Sequence, residues 1–589
     1  MGGRIMKKRF FFASVIAALA LSLVACTTAQ TNLDSKSKTL AVQQSKEWVP
    51  YDENGNILRT DRDATGVNGV VSTGKYEATK IGVDIIKKGG NAIDAAVAVG
   101  FALGVCEPQS SGIGGGGFMV IRFAKTGETK FIDFREIAPK NATPDMWKLD
   151  KDGKVVNNEK AVGGKAIGVP GEVKGMMYAL EKYGTMSRKD VIQPSVELAE
   201  NGYEVSAVLS RDIKNKYDMI EMFPETSKIY LNDGFPYEVG ETIKNPDLAN
   251  TLRKIIKDGE KAVYSGEIAE AIVKSAQAAG GPLTMEDMQN YNIRVNDPLV
   301  GHYRGYEIIT SAPPSSGGAH VVQILNILEN YDMKNIKPGS AEYYHLFSEA
   351  IKMAFADRAK FCGDTEFVNV PVDGITSKAY AKELVKQLDS KKSKKYIAGN
   401  PWAWDGSKDT THYSIVDKEG NIVAVTKTVN NVFASGVVAE GTGIILNNEM
   451  NDFDTGHGKA NSVEPGKKPL SSMSPTIVLK NGKPIMSLGA PGATRIITGV
   501  AQVISLVLDY GMDIQDAIDF PRIHDDYDKL VCETRIDSAV IAKLKTMGHN
   551  VVEEADYFEY PCVQGVTMGE DGKLRGGADP RRDGKALGF

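Results

Sequence analysis

The sequence predicts a mixed α+β fold, on three observations. Residues 91–105 are dominated by small and apolar side chains, unbroken from Ala95 onward, and read as a buried helix. Residues 171–290 repeat their apolar positions at about the 3.6-residue helical period, as in Leu248, Leu252, Ile255 and Ile256 and again in Ile268, Ile272 and Ala279. Residues 411–416 and 421–429 are instead rich in Thr, Val and Ile, the composition of strands. Of 589 residues, 42% are hydrophobic, 25% charged and 8% aromatic, which excludes disordered, collagen-like and coiled-coil chains. Acidic residues (75) outnumber basic ones (70) for a net charge of −5, which argues against a nucleic-acid partner.

Along the chain, Arg4, Lys7, Lys8 and Arg9 precede an apolar run over 10–25 that is short for a bilayer span. It ends in Leu23-Val24-Ala25-Cys26, which resembles the lipobox of bacterial lipoprotein signal peptides. The expectation is a signal over 1–25, lipidation at Cys26 and an exported protein, periplasmic or on the cell surface, held to a membrane only by that anchor. Removing four positive charges takes the net charge from −5 to −5 − 4 = −9. Residues 26–60 are polar and read as a tether. The remaining cysteines, 106, 362, 532 and 562, form no C-x-x-C pattern and are expected to be buried thiols, with 532 and 562 the pair open to oxidation.

A helical pattern begins at Tyr76, and a glycine loop over 111–117 leads into strands at 118–123 and 130–134. Gly112-Ile-Gly-Gly-Gly-Gly117 has the G-x-G-x-x-G spacing, but a dinucleotide site needs a strand before the loop and a helix after it. Here the order is reversed, so close backbone packing is the expectation. Residues 389–407 are polar and lysine-rich, read as an exposed loop. Asp417-Lys-Glu-Gly-Asn421 is a hairpin signature, and pairing Asp417 with Asn421 makes paired residue numbers sum to 838, which sets Thr410 opposite Thr428. The seven histidines form no H-E-x-x-H pair, and there is no G-x-S-x-G elbow, so the sequence offers no metal site and the chemistry needs another nucleophile.

Asp409-Thr-Thr-His-Tyr-Ser414 and the text that follows it to Asn430 resemble the start of the small subunit of γ-glutamyltranspeptidases, a family of N-terminal-nucleophile hydrolases. Gly90-Asn-Ala-Ile-Asp-Ala95, Asp133-Phe-Arg-Glu136, Pro313-Pro-Ser-Ser-Gly-Gly318, Leu470-Ser-Ser-Met-Ser-Pro475 and Gly577-Ala-Asp-Pro-Arg581 resemble further motifs of that family, in its order. The resemblance covers about residues 60–589 and implies a four-layer αββα sandwich, two stacked, mainly antiparallel sheets between helical layers. It also implies a precursor cut between Asp409 and Thr410 into a large subunit (61–409, after the tether) and a small catalytic subunit (410–589), which stay paired.

The chemistry follows from the residue types. A threonine hydroxyl is a weak nucleophile without a base. A free α-amine has a pKa near ~7.7–8.0, whereas a peptide nitrogen is not basic. Cutting the Asp409–Thr410 bond therefore creates the base as it frees the nucleophile. The resemblance implies that Thr428 hydrogen-bonds Thr410, and that Arg135 with Ser471 and Ser472 holds the substrate's α-carboxylate. It implies too that Asn430, Glu449 and Asp452 hold the α-ammonium, and that the amides of Gly492 and Ala493 form the oxyanion hole. Ala493 and Ala434 stand where the family usually has Gly, a departure that matters if the backbone there needs a positive φ. The segment from Asp452 to Ser471 is short and lacks tyrosine, so no lid and an open pocket are expected. Expected partners are small γ-glutamyl compounds such as glutathione and amino-acid or peptide acceptors, with no cofactor. Poly-γ-glutamate cleavage or transfer, acylase action on glutaryl groups, and a non-catalytic surface lipoprotein are the alternative readings.

Overall fold

Two seven-stranded sheets, with every pairing antiparallel, form the centre of the protein. The structure is a computed structural model that describes residues 48–398, 411–525 and 527–589. The readings for the leader, Cys26, Asp409 and Thr410 lie outside these residues. One sheet runs, in order, through Lys585–Gly588, Gly69–Thr73, Thr411–Asp417, Ile422–Thr428, Gly116–Arg122, Thr129–Asp133 and Arg294–Asn296. The other runs through Ala64–Gly66, Leu574–Ala578, Gln564–Met568, Lys483–Gly489, Thr476–Lys480, Tyr306–Thr310 and Leu299–Tyr303.

The sheets lie face to face. Ser72 Oγ donates to the Gly577 carbonyl at 2.7 Å, and Ser487 Oγ to Ser414 Oγ at 3.1 Å, both across the gap. The helix Ala92–Cys106, buried along its whole length, covers the outer face of the first sheet, and Asn91 caps it. Gly317–Leu328 and Arg495–Tyr510 cover the second. This is the αββα order that the resemblance implied. The central hairpin, Thr411–Asp417 and Ile422–Thr428, is buried on both faces, which is why it shows no clean alternation of apolar and polar residues. Its register pairs Thr411 with Lys427 and Val416 with Ile422, the sum read from the sequence, and Gly420 takes the positive φ (84°) that the turn needs.

Two sequence expectations are refined. The compact body begins at Val49, within the stretch read as tether: Tyr51 bridges to Ile57, and the Arg59 guanidinium binds the Pro580 carbonyl. The polar stretch after 389 is tied down where it is described, because Ser393 N donates to the Met547 carbonyl and Tyr396 is buried against Glu349. All four described cysteines are buried free thiols. Among the described residues no helix is long and apolar enough to cross a membrane.

Behind the second sheet, two histidines far apart in sequence meet. His345 Nε2 lies 2.7 Å from the Asp389 carbonyl, which can only accept, so Nδ1 carries the lone pair and faces His549 Nε2 at 2.7 Å. Ser348 Oγ joins His549 Nδ1 (3.3 Å) to Asp525 Oδ2 (2.6 Å). Glu349 lies within ligand distance of both imidazoles, but the Lys352 ammonium holds its carboxylate at 2.5 Å, so an internal cation already neutralises it. Burial pushes Asp525 up to about 7 and His549 down to about 3, so His549 is neutral at neutral pH while Asp525 is still partly protonated. The folded state keeps the Asp525 proton over a range in which the unfolded chain has lost it, so this group's contribution to stability falls as pH rises. The urea midpoint of the wild type, measured against that of Asp525→Asn, is therefore expected to decline from about pH 4 to about pH 7. A pH-independent difference between the two would contradict the assignment.

Candidate active site

The glycine loop sets the site's geometry by letting backbones touch. A Cβ on Gly115 would lie 1.9 Å from the Thr428 carbonyl oxygen, one on Gly114 2.2 Å from that of Ile445, and one on Gly116 2.5 Å from that of Phe134. The strand Gly116–Arg122 is thereby pressed against the hairpin strand Ile422–Thr428, and Arg135, just past the neighbouring strand, reaches the hairpin's open end. The loop is a packing device, as its strand-after-loop context predicted.

Arg135 is 1% exposed. Its ion pairs are therefore buried ones, unlike the weak pairs of a solvated surface. Its Nη1 lies 2.6 Å from Glu449 Oε2 and its Nη2 2.7 Å from Asp452 Oδ2, while Glu136 is 3.8 Å away. The main chain fixes it from behind: its N–H binds Asp133 Oδ1 at 2.9 Å, and Asp133 is held by the Lys468 ammonium at 2.8 Å. Burial disfavours the guanidinium, but Glu449 and Asp452 overcome that and hold it charged. The acids are pushed the other way. Burial, against the pull of Arg135, raises Glu449 well above the carboxylate range, raises Asp452 and lifts Glu136 to about 8. Three carboxyl groups thus crowd one guanidinium, and burial works against the ionised form of each.

The remaining residues close the pocket. Asn430 Nδ2 donates to Asp452 Oδ1 at 2.9 Å and to the Asn448 carbonyl at 3.1 Å, and its own N–H donates to Thr428 Oγ1 at 2.7 Å. Asn430 does this at φ 78°, a left-handed conformation that Asn tolerates better than most residues. Gly492 (φ 125°) and Ala493 (φ 56°) form a tight turn whose amides donate no hydrogen bond among the described residues. The turn leads into the helix Arg495–Tyr510, whose N-terminal end favours negative charge nearby. The positive φ that makes Ala493 a meaningful departure is therefore present, and Ala434 carries one as well (φ 52°).

Arg135, Thr428, Asn430, Glu449, Asp452, Ser471, Ser472 and Ala493 line one pocket, together with Met473 and Ile496. With the ion pairs made, its volume is about 10 Å³. No residue between Asp452 and Ser471 lines it. That short segment closes on itself, with Asn461 bridging the Asp452 carbonyl (2.6 Å) and the Leu470 amide (2.9 Å). The sequence pointed to this lining except Met473 and Ile496, but two features escaped it. Glu136 belongs to the acid cluster, and Glu449 and Asp452 hold Arg135 itself. Contacts between positions 317 residues apart leave no local pattern to read.

A four-layer sandwich with a pocket of this composition at the end of its central hairpin belongs to the class of N-terminal-nucleophile hydrolases. The comparisons narrow the class: the gamma-glutamyltranspeptidase family model matches residues 78–589, and the chain belongs to that family. It is 44% identical over 529 residues to a glutathione hydrolase proenzyme of Escherichia coli (strain K12), covering 87% of this chain and 90% of that protein. It is 41% identical over 543 residues to the corresponding proenzyme of Bacillus subtilis (strain 168), covering 89% and 92%. Among solved structures, a cephalosporin acylase from Bacillus halodurans superposes with a TM-score of 0.82 at 27% identity, over 93% of this chain and 99% of that one.

Two substitutions in the amide turn have opposite expectations. Ala493→Gly removes a left-handed Cβ penalty of about 1 kcal/mol and is expected to raise the denaturation midpoint while leaving turnover within a few-fold of wild type. Gly492→Ala would place a Cβ 2.7 Å from the Tyr560 Cβ, displacing the turn. It is expected to lower kcat by about a hundredfold, the loss typical of one oxyanion donor, the role that the family resemblance implies for this amide.

Proposed function

We propose that the chain is a self-processing γ-glutamyltranspeptidase and glutathione hydrolase with Thr410 as nucleophile. The observation that carries this is the buried cluster of Arg135 with Glu449 and Asp452, set beside Thr428 at the hairpin's end. A γ-glutamyl group is a zwitterion at its α-carbon. Its carboxylate replaces the two acids on Arg135, and its ammonium replaces Arg135 on the acids. The described register, with Thr411 opposite Lys427, supports the sequence reading that sets 410 opposite 428.

In the precursor, Thr410 Oγ attacks the Asp409 carbonyl carbon, the acyl group shifts from nitrogen to oxygen, and water cleaves the ester. Asp409 leaves as a carboxylate and the Thr410 α-amine is free. That amine then takes the Oγ proton as Oγ attacks the γ-carbonyl of the substrate. The amides of Gly492 and Ala493 hold the oxyanion. The proton passes to the departing amine, leaving a γ-glutamyl-Thr410 ester for water or an amino-acid amine to resolve. Export and a lipid anchor at Cys26 complete the proposal, placing the enzyme outside the cytoplasm, where it would meet extracellular peptides.

Acylase action on a glutaryl group is the second reading, favoured by the acylase fold neighbour. Glutaryl lacks the ammonium, so binding it would take Arg135 from Glu449 and Asp452 and leave them without a cation. Leaving such a charge unpaired costs about 3 kcal/mol or more, on the order of a hundredfold. The test compares kcat/KM for γ-glutamyl- and glutaryl-p-nitroanilide. A preference for γ-glutamyl of at least that size, abolished by Asp452→Asn, is expected. Equal turnover of the two would transfer the assignment to an acylase.

A further inference from the structure

Resting on the γ-glutamyl reading, we infer that Arg358 is a positioning residue for recognition of the donor's α-carboxylate. It lies on the long helix Ala341–Phe361, outside every motif used above, and is 6% exposed. Its Nη2 donates to Ser472 Oγ at 2.8 Å and its Nε to Ser316 Oγ at 2.8 Å. The Ser316 hydroxyl donates in turn to the Ser471 carbonyl at 2.7 Å, and the Ser316 amide binds the same oxygen at 2.9 Å. A single buried guanidinium thus holds both residues of the serine pair, one directly and one through Ser316.

The direction of these bonds gives the arrangement its function. A guanidinium has donors and no acceptor, so Ser472 Oγ must accept from Arg358, and the Ser472 proton cannot be spent there. Ser471 Oγ likewise accepts, from the Met473 amide at 3.1 Å. Both hydroxyl oxygens are occupied from the protein side, and both serines line the pocket. Their protons are therefore directed to an acceptor in the pocket, as a carboxylate requires. Arg358 also sets a second positive charge one hydroxyl behind that carboxylate, beside a guanidinium, Arg135, that is already paired with Glu449 and Asp452. The Pro313–Gly318 motif, which the sequence offered without a role, supplies Ser316 to this relay.

The test isolates the α-carboxylate with a pair of donors. γ-Glutamyl-p-nitroanilide and 4-aminobutyryl-p-nitroanilide differ only in that group, so the ratio of their kcat/KM values reads its recognition. Arg358→Met is expected to lower the ratio by about tenfold or more, as for loss of hydrogen bonding to a charged group, through KM for the γ-glutamyl donor and with 4-aminobutyryl turnover unchanged. Arg358→Lys, which keeps the charge but reaches one hydroxyl, is expected to be intermediate and covers the case in which the methionine variant misfolds. Adding Arg358→Met to Ser472→Ala is expected to change the ratio little further. A role confined to stability would lower both donors together. An unchanged ratio in variants of a wild type that turns over the γ-glutamyl donor would overturn this inference alone, whereas no γ-glutamyl turnover by the wild type would overturn it together with the reading beneath it.

Discussion

A guanidinium that is 1% exposed is tolerated only if its charge is matched at contact distance, and Arg135 meets that demand with Glu449 and Asp452. The pairing ties three chain segments together: the strand end at 133–136, the short 3₁₀ turn Glu449–Asp452, and the loop carrying Pro469 and Leu470, whose carbonyls also accept from Arg135. It also determines what the pocket can take. A ligand that offers only one charge breaks a pair and leaves a partner bare. A ligand carrying both charges on one carbon exchanges partners without loss, and this makes the free α-amino-acid end of a γ-glutamyl group the natural occupant.

The rest of the architecture brings that cluster beside Thr428 at the end of the central hairpin. Gly114, Gly115 and Gly116 let three backbones approach to distances that any side chain would forbid, so the hairpin's end and Arg135 share one pocket wall. The sandwich keeps the hairpin buried on both faces, and a helix start lies just beyond the amide turn proposed to hold the oxyanion. The left-handed Ala493 shows that the turn's shape is imposed by its surroundings, since alanine alone would not choose it.

Much of this was legible in the sequence where the determinant is local. The hairpin register followed from five residues, the buried helix from its unbroken small side chains, and the glycine loop's packing role from the order of elements around it. The motifs named the pocket residues because each motif is a short continuous stretch. What stayed hidden depends on long-range contacts between elements. His345 and His549 meet although no spacing joins them, and Arg358 reaches Ser472 across more than a hundred positions. The family motifs said which residues bind charge, but only the fold revealed that Arg135, Glu449 and Asp452 bind one another. The positive φ at Ala493 was a stated condition in the sequence and a fact only in the backbone.

The central claim is that Thr410 becomes a nucleophile by freeing its own amine. Intact mass and N-terminal sequencing of the purified protein, wild type beside Thr410→Ala, test it most directly. The account predicts two chains in the wild type, the smaller beginning at Thr410, and a single uncut chain in the variant. A wild type that stays one chain while turning over γ-glutamyl donors, or a variant cut at the same bond, would contradict it.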